Sequence, residues 1–289
     1  MDMIKLLPTF DAPAIARALA RAREQQTSAG YPGEGHRGWL ARTLYSVHHG
    51  LADWAREESA LAGLIDRLGT PVVFARFMTL EPGGVINEHR DAFLGERVVR
   101  LHVPIKTNDQ AQLFINGRLC RWLPGELWYG DFSLPHWGAN HGSPDRVHLV
   151  IDAPITRELA SLFPAGTLPQ SLERRIRDGV ASDHIAYELS RFAMRFSLPP
   201  GFCLPMSGLA PLPAQASGEI RVCGDELWVC INDQPLLKVN PLSEDAADVI
   251  GLPRAARLHF LFADDCAVSA TLLIDGIPSA PPHFQATTD

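Results

Sequence analysis

The chain has 289 residues, 46% hydrophobic content and a formal net charge of −7. These values are ordinary for one large or two smaller globular domains and argue against a surface built to coat nucleic acid, which needs a basic excess. No apolar run approaches membrane-spanning length, and the start, MDMIKLLPTFDAPAIA, lacks the basic head and long apolar core of a signal peptide, so a cytoplasmic location is expected.

Taken in chain order, Asp11 to Gln26 is rich in Ala and Arg, with Asp11 placed to cap and Pro13 suited to a first turn, which predicts an N-terminal helix. GWLARTLYSVHHG reads as a strand with Trp39 and Leu44 directed to the core, and Ala60 to Leu68 as a second, short helix. From PVVFARFMTL onward the pattern turns to β, punctuated by Glu81-Pro82-Gly83-Gly84, Asn116-Gly117 and Pro124-Gly125. Asn116-Gly117, between QLFI and RLCRWL, is a strong hairpin signal.

The residues that carry chemistry lie between Asn87 and Asp152. In His89-Arg90-Asp91 the outer two side chains share one face of an extended strand, because strand side chains alternate. His136 follows 47 positions after His89. Two histidines and one carboxylate on neighbouring positions leave the opposite face of a metal open, the arrangement of non-heme Fe(II) oxygenases. A His-x-Asp triplet is weak evidence alone, and an aspartate bonding nearby backbone is the alternative for Asp91. The second half adds weight. Ten positions after His136, Arg146 opens RVHLVID, an alternating strand with Arg146 and His148 on one face and Val147, Leu149 and Ile151 on the other. A guanidinium fork beside a metal suits a dicarboxylate, which it binds in bidentate fashion. His148 on that face is either a support for the site or a core histidine. His141 competes with His136 as second ligand, and His36, His48, His49, His184, His259 and His283 have no partner at ligand spacing.

The stretch from about Val72 to Pro154 resembles the aspartyl/asparaginyl β-hydroxylase superfamily of Fe(II)/2-oxoglutarate oxygenases, especially its proline 3-hydroxylase-like branch. The resemblance is carried by His89-Arg90-Asp91, by Arg100-Leu101-His102, by the D-x-S-x-x-H-x-x-x-N segment from Asp131 to Asn140, and by Arg146. It favours His136 over His141 and implies a mainly β fold, a double-stranded β-helix (jelly roll, cupin-like) with flanking helices. It further implies His89, Asp91 and His136 as iron ligands, and Arg146 on the far carboxylate of 2-oxoglutarate, with Arg100 and His102 as further contacts. The implied activity is hydroxylation of an unactivated C–H of an amino acid, free or within a peptide or conjugate, with O2 as second co-substrate and release of succinate and CO2. Arg76 and Arg97 are candidates for a substrate carboxylate. Asp91 argues against halogenation, which needs that position vacant. Two other readings are a non-catalytic jelly-roll module that binds metal or ligand, and a zinc or manganese hydrolase; Arg146 and the lack of a nearby free Glu or Asp base in the DFSLPHWGAN segment count against the hydrolase.

Residues 1–165 are therefore expected to form the jelly-roll domain, and residues 166–289 a helical segment, a Pro-rich linker and a small α+β accessory domain. In the latter, Ser171 to Phe196 has mostly helical apolar spacing and SEDAADVIGL reads as a short helix, while GEIRVCGDELWVCINDQPLLKV and ARLHFLFADDCAVSATLLIDG suggest hairpins. Trp228 and Phe260 read as core. This third carries no chemical motif and is expected to serve a larger substrate or a homodimer contact. Cys120, Cys203, Cys223, Cys230 and Cys266 are odd in number and scattered, which excludes a disulfide framework or zinc ribbon.

Overall fold

A computed structural model describes the chain except for residues 1, 22–26, 29–35, 48–49, 92–93, 95–97, 178–187, 199–216, 225, 242, 251, 253–255, 275–282 and 288–289. The chain divides into two units, Met1–Asp183 and His184–Asp289, a division 18 residues beyond the one expected at 165.

The first unit runs β1 (Met3–Thr9), α1 (Ala12–Arg21), β2 (Thr27–Ser28), β3 (Arg37–Ser46), β4 (Gly50–Leu51), α2 (Asp53–Arg56), α3 (Ser59–Ala62), a 3-10 turn (Asp66–Leu68) and β5 (Phe74–His89). It continues through β6 (Val98–Lys106), β7 (Ala111–Ile115), β8 (Arg118–Leu119), β9 (Glu126–Gly130), β10 (His136–Asn140), β11 (Arg146–Pro154), α4 (Arg157–Ser161) and α5 (Gln170–Arg177). The N-terminal helix thus forms where expected, with Asp11 Oδ1 accepting from the Ala14 N–H at 2.9 Å as its cap. The helix expected over Ala60 to Leu68 is broken into α3 and the 3-10 turn.

β5 is the key to the architecture. Its first half pairs antiparallel with β11 (Phe74↔Asp152 to Leu80↔Arg146), and its second half with β10 (Val85↔Ala139, His89↔His136). The bend between the halves falls at the Pro-Gly-Gly segment, where Gly83 has φ 74° and a Cβ on Gly84 would lie 2.7 Å from the Leu80 side chain. From the first half the order continues β11, β6, β9, β1, and from the second half β10, β7, β8. These two antiparallel halves, each taking strands from both ends of the segment, make the jelly roll. Asn116 (φ 50°) and Gly117 (φ 72°) form the two-residue turn between β7 and β8, as the Asn-Gly signal requires.

Alternation along the strands then sorts chemistry from packing. Phe77, Leu101, Val103, Leu149 and Ile151 point outward into a core closed by Ile15, Ala18, Leu61, Leu64 and Leu68 of the helical layer. Each such fully buried side chain contributes about 1.5–3 kcal/mol. The other face of the same strands carries Arg76, Arg100, His102, Arg146, His148 and Asp152, all buried. Leu44 enters the core as expected, whereas Trp39 stays half-buried, its ring 6.1 Å from that of His89.

The second unit contains a 3-10 turn (Leu189–Phe192) and eight strands, β12 (Met194–Ser197), β13 (Ser217–Cys223), β14 (Glu226–Ile231), β15 (Gln234–Pro241), β16 (Ala246–Ile250), β17 (Ala256–Ala263), β18 (Cys266–Ile274) and β19 (His283–Gln285). Each pairs antiparallel with the next. The last returns to the first through a Phe196↔Ala286 bridge and a Thr287 N–H donating to Arg195 O at 2.8 Å, closing an up-and-down barrel around Phe196, Ile220, Leu237, Val249, Leu258 and Phe284. Here the structure corrects the expected α+β domain: its described elements are strands apart from the 3-10 turn. SEDAADVIGL forms β16 rather than a helix, and Phe196 lies in a strand. The two-residue turns Asn232-Asp233 and Asp264-Asp265 have positive φ at both positions, which fits their tight hairpins. Phe260 is buried in this core and Trp228 half-buried. No described helix is long and apolar enough to cross a membrane.

Candidate metal and anion site

His89, at the end of β5, and His136, at the start of β10, are register partners, so the pairing of two strands places their rings 4.1 Å apart. Asp91 follows two residues past His89 and is fixed by its own N–H, which donates to Phe132 O at 2.9 Å. Asp91 Oδ1 lies 3.8 Å from His89 Nε2 and 3.9 Å from His136 Nε2. One ligand atom from each of the three residues falls within 4.8 Å of the others. His89 Nδ1 sits 2.8 Å from Asn87 O, and His136 Nδ1 sits 2.9 Å from Leu134 O. Each Nδ1 therefore donates to a backbone carbonyl, which leaves Nε2 turned towards the carboxylate, the orientation a metal ligand needs. This N, N, O donor set fits a ferrous ion with one face open. His141 is exposed, its backbone N–H bonded to Gln110 O, and its side chain takes no part in the cluster.

The D-x-S-x-x-H-x-x-x-N segment shapes the backbone around His136. Asp131 Oδ1 accepts from the N–H and hydroxyl of Ser133, tightening the turn into β10. Asn140, completely buried, donates to Leu80 O and Pro144 O, both at 2.9 Å, and accepts from Asn108 Nδ2 and the Gly142 N–H, both at 3.1 Å. It ties the far end of β10 to β5 and to the loop before β11.

Arg146 lies on the inner face of β11 and is 4% exposed. Two of its nitrogens lie 3.2 Å and 3.1 Å from the two ring nitrogens of His148, and among the described residues no carboxylate pairs with it. Burial pushes its pKa down to about 10. His148 in turn approaches His102, Nδ1 to Nδ1, at 3.2 Å. Burial first, then the neighbouring Arg146 charge, hold both imidazoles well below their usual pKa, so both are neutral near pH 7. His102 stacks on Phe132 at 4.5 Å, and Trp122 stands edge-on to it at 5.5 Å. His102 Nε2 and Trp122 Nε1 are buried without hydrogen-bond partners. The inner face thus holds an uncompensated cation and two unsatisfied polar nitrogens, an arrangement that costs stability unless a ligand meets them.

Arg100, expected as a further contact to co-substrate or substrate, lies between two carboxylates. Its Nη1 donates to Asp91 Oδ2 at 2.5 Å, while Nε and Nη2 grip Asp152 Oδ1 and Oδ2 at 2.7 and 3.1 Å. Arg76 joins from β5, its Nη1 donating to Asp152 Oδ2 at 3.0 Å and its Nε buried without a partner. Burial raises the Asp152 carboxyl, but Arg100 and Arg76 outweigh it and hold the group below its usual range. Asp152 and Trp122 were not singled out from sequence. Asp152 had a signal, because it continues the even-numbered face of β11 from Arg146 and His148; Trp122, in the loop between β8 and β9, had none. Arg97 and Cys203 lie outside the described residues.

A sequence profile described as aspartyl/asparaginyl β-hydroxylase matches residues 11–154. An L-proline cis-4-hydroxylase of Rhizobium meliloti (strain 1021) is 28% identical over 112 residues, which is 38% of this chain and 36% of that enzyme. Among solved structures, a prolyl-4-hydroxylase of Pseudomonas putida aligns with TM-score 0.36 and 16% identity over 53% of this chain and 92% of its own. A 2OG-Fe(II) oxygenase family oxidoreductase of Burkholderia pseudomallei aligns with TM-score 0.37 and 16% identity over 53% and 85%. Residues 11–154, which run from α1 to β11 and include every residue of the site described above, match the aspartyl/asparaginyl β-hydroxylase family.

Proposed function

We propose that the first unit is an Fe(II)- and 2-oxoglutarate-dependent hydroxylase that acts on a C–H bond of an amino acid, free or within a peptide or conjugate. One observation carries this reading above the others: a buried arginine with no carboxylate partner among the described residues shares the inner face of the jelly roll with two inward-turned imidazoles and a carboxylate. A structural arginine would be paired.

His89, Asp91 and His136 would hold the ferrous ion. Together with 2-oxoglutarate and O2, that ion supplies the oxidising power to replace a C–H hydrogen by hydroxyl as the co-substrate leaves as succinate and CO2. The chain's own part is placement. Arg146 receives the distal carboxylate of 2-oxoglutarate on its planar fork, and His148 braces that fork from behind. A ligand on this inner face also meets the unpartnered nitrogens of His102 and Trp122. Phe132 and Trp122, packed against His102, exclude water, which strengthens each of these contacts. Arg76, with a buried Nε lacking a partner, is the group we assign to a substrate carboxylate, and the match to an L-proline cis-4-hydroxylase makes imino and amino acids the first substrates to try.

The test is succinate formation from 2-oxoglutarate with Fe(II) and O2 across a panel of free amino acids, short peptides and acylated amino acids. Substrate-stimulated succinate with matching hydroxylated product supports the reading. Binding of metal and 2-oxoglutarate with no turnover on any member would favour a non-catalytic binding module instead.

A further inference from the structure

We propose that Arg100 and Asp152 are positioning residues for the metal: Asp152 holds Arg100, and Arg100 holds Asp91 so that one carboxylate oxygen alone is offered to the ion. The inference rests on the reading of His89, Asp91 and His136 as ligands.

An aspartate carboxylate rotates easily about its last bond, and that torsion has broad, shallow wells. Left alone, Asp91 samples orientations in which either oxygen, or both, face the histidines. Here one oxygen is occupied: Oδ2 accepts from Arg100 Nη1 at 2.5 Å, and Oδ1 faces both Nε2 atoms at nearly equal distance. Arg100 has little freedom of its own. Its opposite edge, Nε and Nη2, meets both oxygens of Asp152, and Asp152 takes a further bond from Arg76. The guanidinium is a planar spacer with one carboxylate on each edge, all of it buried. The strands make this possible. Asp152 and Arg100 are register partners on β11 and β6, and Phe74 of β5 pairs with Asp152 from the other side, two residues from Arg76.

The same geometry assigns Arg100 a role other than holding co-substrate, since its Nε, Nη1 and Nη2 are all engaged by carboxylates. It also explains how two guanidinium groups coexist beside a divalent-ion site: Asp91 and Asp152 balance Arg76 and Arg100 before any ion arrives.

The experiment is Co(II) binding to the metal-free full chain, followed by calorimetry and by the visible d–d spectrum, for wild type, Arg100→Lys and Asp152→Asn, with Arg146→Lys as control. Loss of a partner that orients a ligand costs about 10- to 100-fold in metal affinity. Arg100→Lys keeps the charge but cannot span two carboxylates, so it binds Co(II) more weakly by that factor and with an altered spectrum. Asp152→Asn is isosteric, keeps an acceptor oxygen for Arg100, and weakens binding in the same direction should the lysine variant fail to fold. Arg146→Lys binds Co(II) as wild type does. If either folded variant of the relay binds Co(II) with wild-type affinity and spectrum, the positioning role is overturned, since charge or packing alone then suffices. If the wild type itself binds no Co(II), the metal reading falls with it.

Discussion

Replacing Arg146 by methionine separates a binding arginine from a structural one by the sign of its effect. In the unliganded protein this guanidinium is buried, its pKa depressed to about 10, and its contacts are the two nitrogens of a neutral histidine. Methionine keeps an apolar stem of similar length and removes the buried charge. Exchanging buried ionic groups for apolar ones of similar volume is often neutral or stabilising by about 1–4 kcal/mol. The metal-loaded, 2-oxoglutarate-free Arg146→Met protein is therefore expected to melt at the wild-type temperature or several degrees above it. The ligand response goes the other way. At 2-oxoglutarate one hundred times its Kd, wild type gains about 2.7 kcal/mol, which for a unit of this size raises the melting midpoint by roughly 5–10 °C. Arg146→Met shows no such rise at the same concentration. The assay is differential scanning calorimetry with Mn(II) in place of iron, with and without 2-oxoglutarate, following the transition of the first unit. A variant that melts well below wild type yet keeps the full 2-oxoglutarate shift would refute the argument, because Arg146 would then be part of the scaffold.

Arg146→Lys keeps the charge and loses the fork; losing one charge-assisted hydrogen bond of about 1.5–3 kcal/mol should weaken 2-oxoglutarate binding roughly 10- to 150-fold, measured by calorimetry, with metal content unchanged. His136→Ala should abolish metal binding while His141→Ala leaves it intact, since only the first ring turns its Nε2 to Asp91. His102 and His148 bind protons in the unfolded chain near pH 6.5 but, held neutral by burial, not in the folded one; stability is therefore full above that pH and falls below it, by up to about 1.4 kcal/mol per pH unit for each histidine. Urea titrations between pH 7.5 and 5 should show that slope, and His148→Gln should flatten it. Asn140→Ala removes two donors and an acceptor from buried backbone and should cost about 2–3 kcal/mol in the same titrations, with loss of metal affinity as β10 loosens.

The ligand residues were legible because local spacing maps directly onto strand geometry. His89 and Asp91 differ by two, and Arg146 and His148 differ by two, so each pair shares a face whatever the rest of the chain does. The pairing of Arg100 with Asp152 was not legible. It depends on which residue of β6 lies opposite which residue of β11, a register fixed by packing on the outer faces through Leu101, Val103, Leu149 and Ile151. Reading the even-numbered face of β11 four residues further, past Val150, would have exposed Asp152 as a buried acid in need of a cation. In the second unit, SEDAADVIGL reads as a short helix, but its Ala246–Ile250 stretch forms β16 because strands on both sides supply its backbone partners. Closure between β12 and β19, about 90 residues apart, leaves no local trace, since each hairpin alone is compatible with an open sheet.

The most direct measurement is an anaerobic titration of the metal-free chain with Fe(II) followed by 2-oxoglutarate, watched for the visible charge-transfer band of the bound pair. The band should appear in wild type only when both are present, be absent in His136→Ala, and require far more 2-oxoglutarate in Arg146→Lys. A wild-type protein that gives no band at saturating Fe(II) and 2-oxoglutarate would contradict the assignment of this site.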